Sequence, residues 1–187
     1  METLLGLVIG IGLSAAVGFR IFVPLLGISI ATMTGYLTLS PGFQWIGSWP
    51  ALVAFSTATI LEIVAYSIPW LDHMMDMITT PAAVVAGAMV TASLIGEMNP
   101  LLKWSLAIIA GGGTAGLVQA GTVMLRGASS ATTGGIGNVL VSTGEMIGSI
   151  LTTLLALIIP VLCLFVVAFL LFFIIWRAIH PKHKRAA

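Results

Sequence analysis

Residues 161–176 read VLCLFVVAFLLFFIIW, a run in which the thiol of Cys163 is the most polar group. A helix at a water interface carries a polar stripe at helical spacing, and this one carries none, so its natural surroundings are lipid. The rest of the chain agrees. Hydrophobic residues make up 59% of the 187 positions, charged residues 7%, and the mean hydropathy is +1.16. A soluble core of this size needs a charged shell, and there are too few charges to build one. The sequence therefore describes an all-α polytopic membrane protein, one membrane domain over 1–187, with room for about six spans of roughly 20 residues. A net charge of +1 gives no electrostatic support to nucleic-acid binding. The lone cysteine excludes an intrachain disulfide and reads as a small packing residue. The start, METLLGLVIG, lacks a basic leader and a small-residue cleavage site, so it reads as the first span and not as a removable signal.

Working back from the last segment, six apolar stretches emerge. The first, about 4–33, is too long for one straight span and contains Gly18, Arg20 and Pro24, so it is expected to be kinked or broken. The loop after it carries Pro41-Gly42 and the interfacial tryptophans Trp45 and Trp49. The second span is about 50–68. LDHMMDMITT (71–80) then places Asp72, His73 and Asp76 among apolar residues at helical spacing, which predicts one short interfacial helix before a third span at 81–95. The fourth, about 101–125, is interrupted by Gly111, Gly112 and Gly113 and is likewise expected to be kinked or broken. The fifth is about 136–159 and the sixth 161–179, followed by a basic tail, 180–187. Six spans put Arg126 and that tail on the same side as the N-terminus. The positive-inside rule then makes both termini cytoplasmic.

Two carboxylates stand inside these spans. Glu62 belongs to a polar stripe with Thr59 and Tyr66; Glu145 belongs to one with Asn138, Ser142, Ser149 and Thr152. Steps of three and four keep each stripe on one helix face. A carboxylate at membrane depth costs about 3 kcal/mol or more unless it meets a partner, water or an ion. Its recurrence suggests an internal repeat. GLSAAVGFR from Gly12 also parallels GGTAGLVQA from Gly112. Repeat A would be about 3–97 and repeat B about 100–180, and three spans per unit make the repeat inverted (3+3), with a polar site at the midplane between the units. Chance similarity among Gly, Ala and Ser in apolar helices is the competing explanation.

GLSAAVGFRIFVPLL, LEIVAYSIPWLD, ITTPAAVVAGAMVTAS, AIIAGGGTAGLVQAG and RGASSATTGG together resemble the bacterial membrane family called domain of unknown function 4126 (DUF4126). The resemblance covers nearly the whole chain and implies a prokaryotic inner-membrane protein. It brings no activity, so no residue roles are carried over.

The residues themselves leave paired readings. Arg20 either offers a positive field to an anion and clamps a glutamate, or serves as a structural counter-ion or a snorkelling side chain. The triple glycine at 111–113 either unwinds its helix to expose backbone to a ligand or allows close helix packing. Gly6/Gly10, Gly112/Gly116 and Gly144/Gly148 are all GxxxG patterns. Gln119 reads as a helix-to-helix hydrogen bond or a ligand. The glutamates handle an ion or proton, or lock helices together. Asp72, His73 and Asp76 fit a solvated face better than a metal site. No HExxH, nucleophile elbow, phosphate loop or Cys/His cluster appears, so neither enzyme chemistry, a metal nor a cofactor is expected.

The expected function is a small integral membrane transporter or channel for an ion or small polar solute. Its site would draw on Glu62, Glu145, Arg20, Gln119, Thr59, Ser142 and Ser149, with hinges at Gly18, Pro24 and Gly111–Gly113. Expected partners are membrane lipids, the ion or solute and, through the small-residue faces, further copies in a homo-oligomer. A non-transporting scaffold or lipid-binding protein is the alternative.

Overall fold

The computed structural model describes residues 2–66 and 68–180; the side chains of Glu2, Pro69, Trp70, Asp72, His73 and Ala178 lie outside the description. Every regular element is helical among these residues: α1 (Glu2–Phe19), α2 (Phe22–Met33), a 3₁₀ turn (Gln44–Gly47), α3 (Trp49–Ala65), α4 (Pro69–Leu94), α5 (Pro100–Leu106), a π turn (Ala107–Gly112), α6 (Gly113–Thr133), α7 (Asn138–Ile158) and α8 (Pro160–Ile179). Starts and stops follow local chemistry. Ser48 and Asn99 accept bonds from Ala51 N and Leu101 N to cap α3 and α5, and prolines open α3, α4, α5 and α8. Gly134, at a φ of +63°, ends α6 in the left-handed conformation.

The 100–133, 138–158 and 160–177 stretches and Met74–Leu94 are each long and apolar enough to cross a membrane, while 3–19, 22–33 and 49–65 are shorter apolar helices. The protein is a membrane-embedded helical bundle. Its helices alternate strictly in direction. α1 runs against α4, with Gly6 beside Leu94, Gly10 beside Thr91, and Ser14 Oγ donating to Gly87 O at 2.8 Å. α1 also runs against α7, where Gly12 meets Ala156 and Ser149 Oγ donates to Ala16 O. α2 runs back beside α7, from Arg20 at Ser142 through Gly27 at Thr153 to Tyr36 at Leu157. α8 lies parallel to α1 and α6, with Cys163 at Gly12 and Ile174 at Gly121.

Three expectations are corrected by this arrangement. The chain reverses at Arg20-Ile21, so the first stretch forms a helical hairpin and not one span; counting α5, the π turn and α6 as one rod, the described residues form seven helices, four of them long and apolar enough to cross a membrane. An odd number puts the described ends at opposite ends of the bundle. We call these the N-terminal and C-terminal ends of the bundle. Second, the short interfacial helix is not a separate element. α4 continues through Pro81, because Asp76 and Thr79 turn inward and find Arg126, Tyr66 and Gln119. The expected surface character of Asp72 and His73 falls on side chains outside the description. Third, the interruption at Gly111–Gly113 is a π turn in place of regular α-helix and not an unwound segment. The turn runs directly into α6, and Gly111 and Gly112 pack on Gly87, Thr91 and Val84 of α4. The proposed match between the Gly12 and Gly112 segments also pairs α1 with α6, two helices that run the same way, so that match is not an inverted one. Of the basic tail, 181–187 lies outside the described residues.

Close approach of α4 and the 100–133 rod rests on absent side chains. A Cβ on Gly111 would collide with Thr91 Oγ1 and Gly87 O, whereas one on Gly113 meets no atom within 4 Å. Gly111→Val is therefore expected to lower stability by about 2 kcal/mol through overpacking. Gly113→Ala should leave it unchanged or slightly raised. Thermal unfolding of the two variants in detergent reads the difference, and equal midpoints would show that the helices part freely here.

Candidate functional site

The helical hairpin turns inside the protein. α1 makes its last regular bond from Arg20 N to Ala16 O, and Ile21 already has helical angles (φ −69°, ψ −46°). A helix that begins in a buried place leaves N–H groups unsatisfied. Glu62, near the end of α3, supplies the acceptors: Oε1 takes Ile21 N at 2.9 Å and Oε2 takes Phe22 N at 3.2 Å. Its negative charge also meets the positive end of the α2 dipole. Pro24 lies in the first turn of α2, where a missing N–H costs nothing. Gly18 lets α1 press against Ala115 and Val118 just before the turn.

Arg20, only 2% exposed, reaches from this turn to α7. Its Nη2 donates to Ser142 O and Oγ and lies 3.7 Å from Glu145 Oε2. Glu145 in turn holds Arg126 of α6 through two bonds, Nε to Oε1 at 3.0 Å and Nη2 to Oε2, and Arg126 Nη1 reaches Asp76 of α4. The result is a continuous ion-pair chain, Asp76–Arg126–Glu145–Arg20. Both guanidinium carbons lie over the ring of Tyr66, at 4.0 Å for Arg20 and 4.1 Å for Arg126. The Tyr66 hydroxyl meets Thr79 Oγ1 at 2.9 Å, and Gln119 Nε2 donates to the same oxygen at 3.2 Å. Asp76, with its side chain 12% exposed, is the most accessible carboxylate in the chain of pairs; Glu145 is at 3%. Arg20 Nε and Nη1 are buried and have no acceptor among the described residues.

This cluster lies at the end of α1 and α3, near the start of α4 and α7, and late in the 100–133 rod. It is thus displaced toward the C-terminal end of the bundle and away from the middle. Of the candidate residues, Glu62, Glu145, Arg20, Ser142 and Gln119 come together. Thr59 does not, since its hydroxyl bonds Phe55 O of its own helix, and Ser149 is spent on Ala16 O. Gly111–Gly113 are at the α4 crossing, away from the charges. Cavities of about 530 and 340 Å³ lie elsewhere and touch neither glutamate. With Asp76 and Glu145 on Arg126 and Glu62 on backbone N–H groups, the carboxylates are engaged by the protein itself.

Arg126 and Thr79 are not among the candidates, Tyr66 enters only as part of the Glu62 stripe, and Asp76 only as part of a solvated face. The signal was present for Arg126: Gln119, Thr122 and Arg126 step by three and four along α6, and all three are buried. Reading Arg126 as a loop charge beside the glycine-rich RGASSATTGG concealed it.

A family model described as a domain of unknown function, DUF4126, matches residues 7–179. The chain belongs to the DUF4126 family. No curated protein and no solved structure matches it. For this DUF4126 member the site must be read from its own geometry.

That geometry ranks the two glutamates. Removing one charge from a buried pair leaves the partner charge stranded, at a cost of about 3–5 kcal/mol. Glu145→Gln should therefore destabilise the protein by that order, and pairing it with Arg126→Gln should cost less than the sum of the single changes. Glu62→Gln retains one acceptor for the α2 start, so its cost should be about 1–2 kcal/mol. Denaturation of the four variants in detergent checks the order.

Proposed function

We propose that the protein is a small integral membrane transporter or channel for an ion or small polar solute, and that the ion-pair chain is its polar site. The observation that carries this is the buried chain Asp76–Arg126–Glu145–Arg20, with two Arg20 donors unspent among the described residues. Charged side chains at membrane depth mark ion paths and proton relays more often than packing. With Glu62 counted, three carboxylates and two guanidiniums share the cluster among the described residues. Arg126 and Glu145 each serve two partners, so neutralising Asp76 at the accessible edge weakens its hold on Arg126 and strengthens the competing pair. Such partner exchange is a way to bias two conformations. We propose transport and not catalysis.

The finer architecture belongs to the same proposal. α2, α3 and α4 run opposite to the 100–133 rod, α7 and α8 in order, which supports an inverted three-plus-three repeat with α1 outside it. Arg177 and the basic tail favour placing the C-terminal end of the bundle in the cytoplasm of an inner membrane. Assembly into a homo-oligomer remains part of the reading, supported by Gly144, which no neighbour covers.

Flux measured in liposomes holding purified protein tests this. Wild type is expected to carry protons or a monovalent cation, and Asp76→Asn and Glu145→Gln to reduce the flux at least about tenfold while remaining inserted, as for an ionisable relay group. Absence of wild-type flux across a panel of protons, cations and small solutes would overturn transport and leave the scaffold or lipid-binding role.

A further inference from the structure

A second site lies on the outer surface, between α6 and α8. There a groove of about 530 Å³ runs toward the C-terminal end of the bundle. Its existence follows from side-chain size. Gly121 lets Ile174 of α8 come close, since a Cβ there would lie 3.1 Å from it, and seven residues on along the same face of α6 the small, exposed Ala128 leaves the seam open. Leu125, Phe173 and Ile174 make the walls apolar, and Arg177 closes the end. The neighbouring surface of α8 is exposed and apolar, with Phe169 at 71% and Phe172 at 66%.

Arg177 decides what fits. Its guanidinium carbon sits 5.9 Å from the Phe173 ring centroid, and it has no ion-pair partner among the described residues. It stands where α8 leaves the apolar zone, and the sequence beyond adds Lys182, Lys184 and Arg185. An occupant must then be apolar along the groove and negative at its end. We propose that the groove holds one acyl chain of an anionic phospholipid, with its phosphate bound by Arg177. An acyl chain supplies the apolar length, and a phosphate at headgroup depth matches the planar donors of arginine. The volume falls within the usual range for a small-ligand site. This site shares no charged residue with the ion-pair chain, so it stands whether or not the protein transports.

Native mass spectrometry of the purified full chain tests the proposal, with phosphatidylglycerol and phosphatidylcholine of identical chains supplied in equal amounts. Wild type is expected to retain one phosphatidylglycerol in about fivefold preference, the ratio one added cationic contact gives. Arg177→Gln should bring the ratio close to one. Ala128→Phe, at an exposed position that a larger side chain fills without disturbing the core, should reduce retention of both lipids. Equal retention by wild type, or a preference that persists in Arg177→Gln, would overturn the assignment. So would dimers that vanish in Ala128→Phe, since they would name a second copy of the chain as the occupant.

Discussion

Two hydrogen bonds from Ile21 and Phe22 to the Glu62 carboxylate allow the chain to turn around inside an apolar bundle. In water, a helix start can borrow solvent for its orphan N–H groups. In a membrane interior it cannot, and each unsatisfied group is costly. The carboxylate meets two of these donors at once and opposes the α2 dipole. Once the turn is fixed, α2 can run back along α7, and the number of helices becomes odd. Arg20, at the tip of that turn, is thereby delivered to Glu145. A capping interaction on one helix sets the position of the charge on another.

The cluster that results combines stability with internal competition. Arg126 holds two carboxylates and Glu145 holds two guanidiniums, so each pair limits the strength of its neighbour. Tyr66 supports both cations through its ring while its hydroxyl is tied to Thr79. A purely structural ion pair needs none of this sharing, since one carboxylate per guanidinium satisfies the charge. Shared partners instead couple these pairs to one another, so that a change at one is felt at the next.

Membrane class and helical content were legible in composition, and the two glutamates stood out as charges in apolar runs. The break between Gly18 and Pro24 was legible as a weak place in a helix. Its consequence was not, because sequence periodicity is blind to whether a broken helix continues or doubles back. That outcome depends on Glu62, which comes 41 residues after Ile21. The interfacial reading of LDHMMDMITT failed for a related reason: Asp76 looks solvated until its partner, 50 residues later on Arg126, is known. Gly111–Gly113 illustrate the opposite case. Glycines in a row suggest unwinding, yet against Gly87 and Thr91 they act by letting two backbones touch.

The order in which the chain is made gives the hairpin a history. Arg20 is the first basic residue to emerge, and no acidic side chain follows it until Glu62. Once α3 is in place Glu62 can secure the start of α2, yet the guanidinium still waits for Ser142 and Glu145, 122 residues and more downstream. Until α7 inserts, that cation must be kept by water, by headgroups or by the insertion machinery. The N-terminal half is therefore bound to an incomplete state during synthesis. A chain truncated before Ser142 would keep Tyr66 beneath the Arg20 guanidinium but would lack its hydrogen-bond and ion-pair partners on α7.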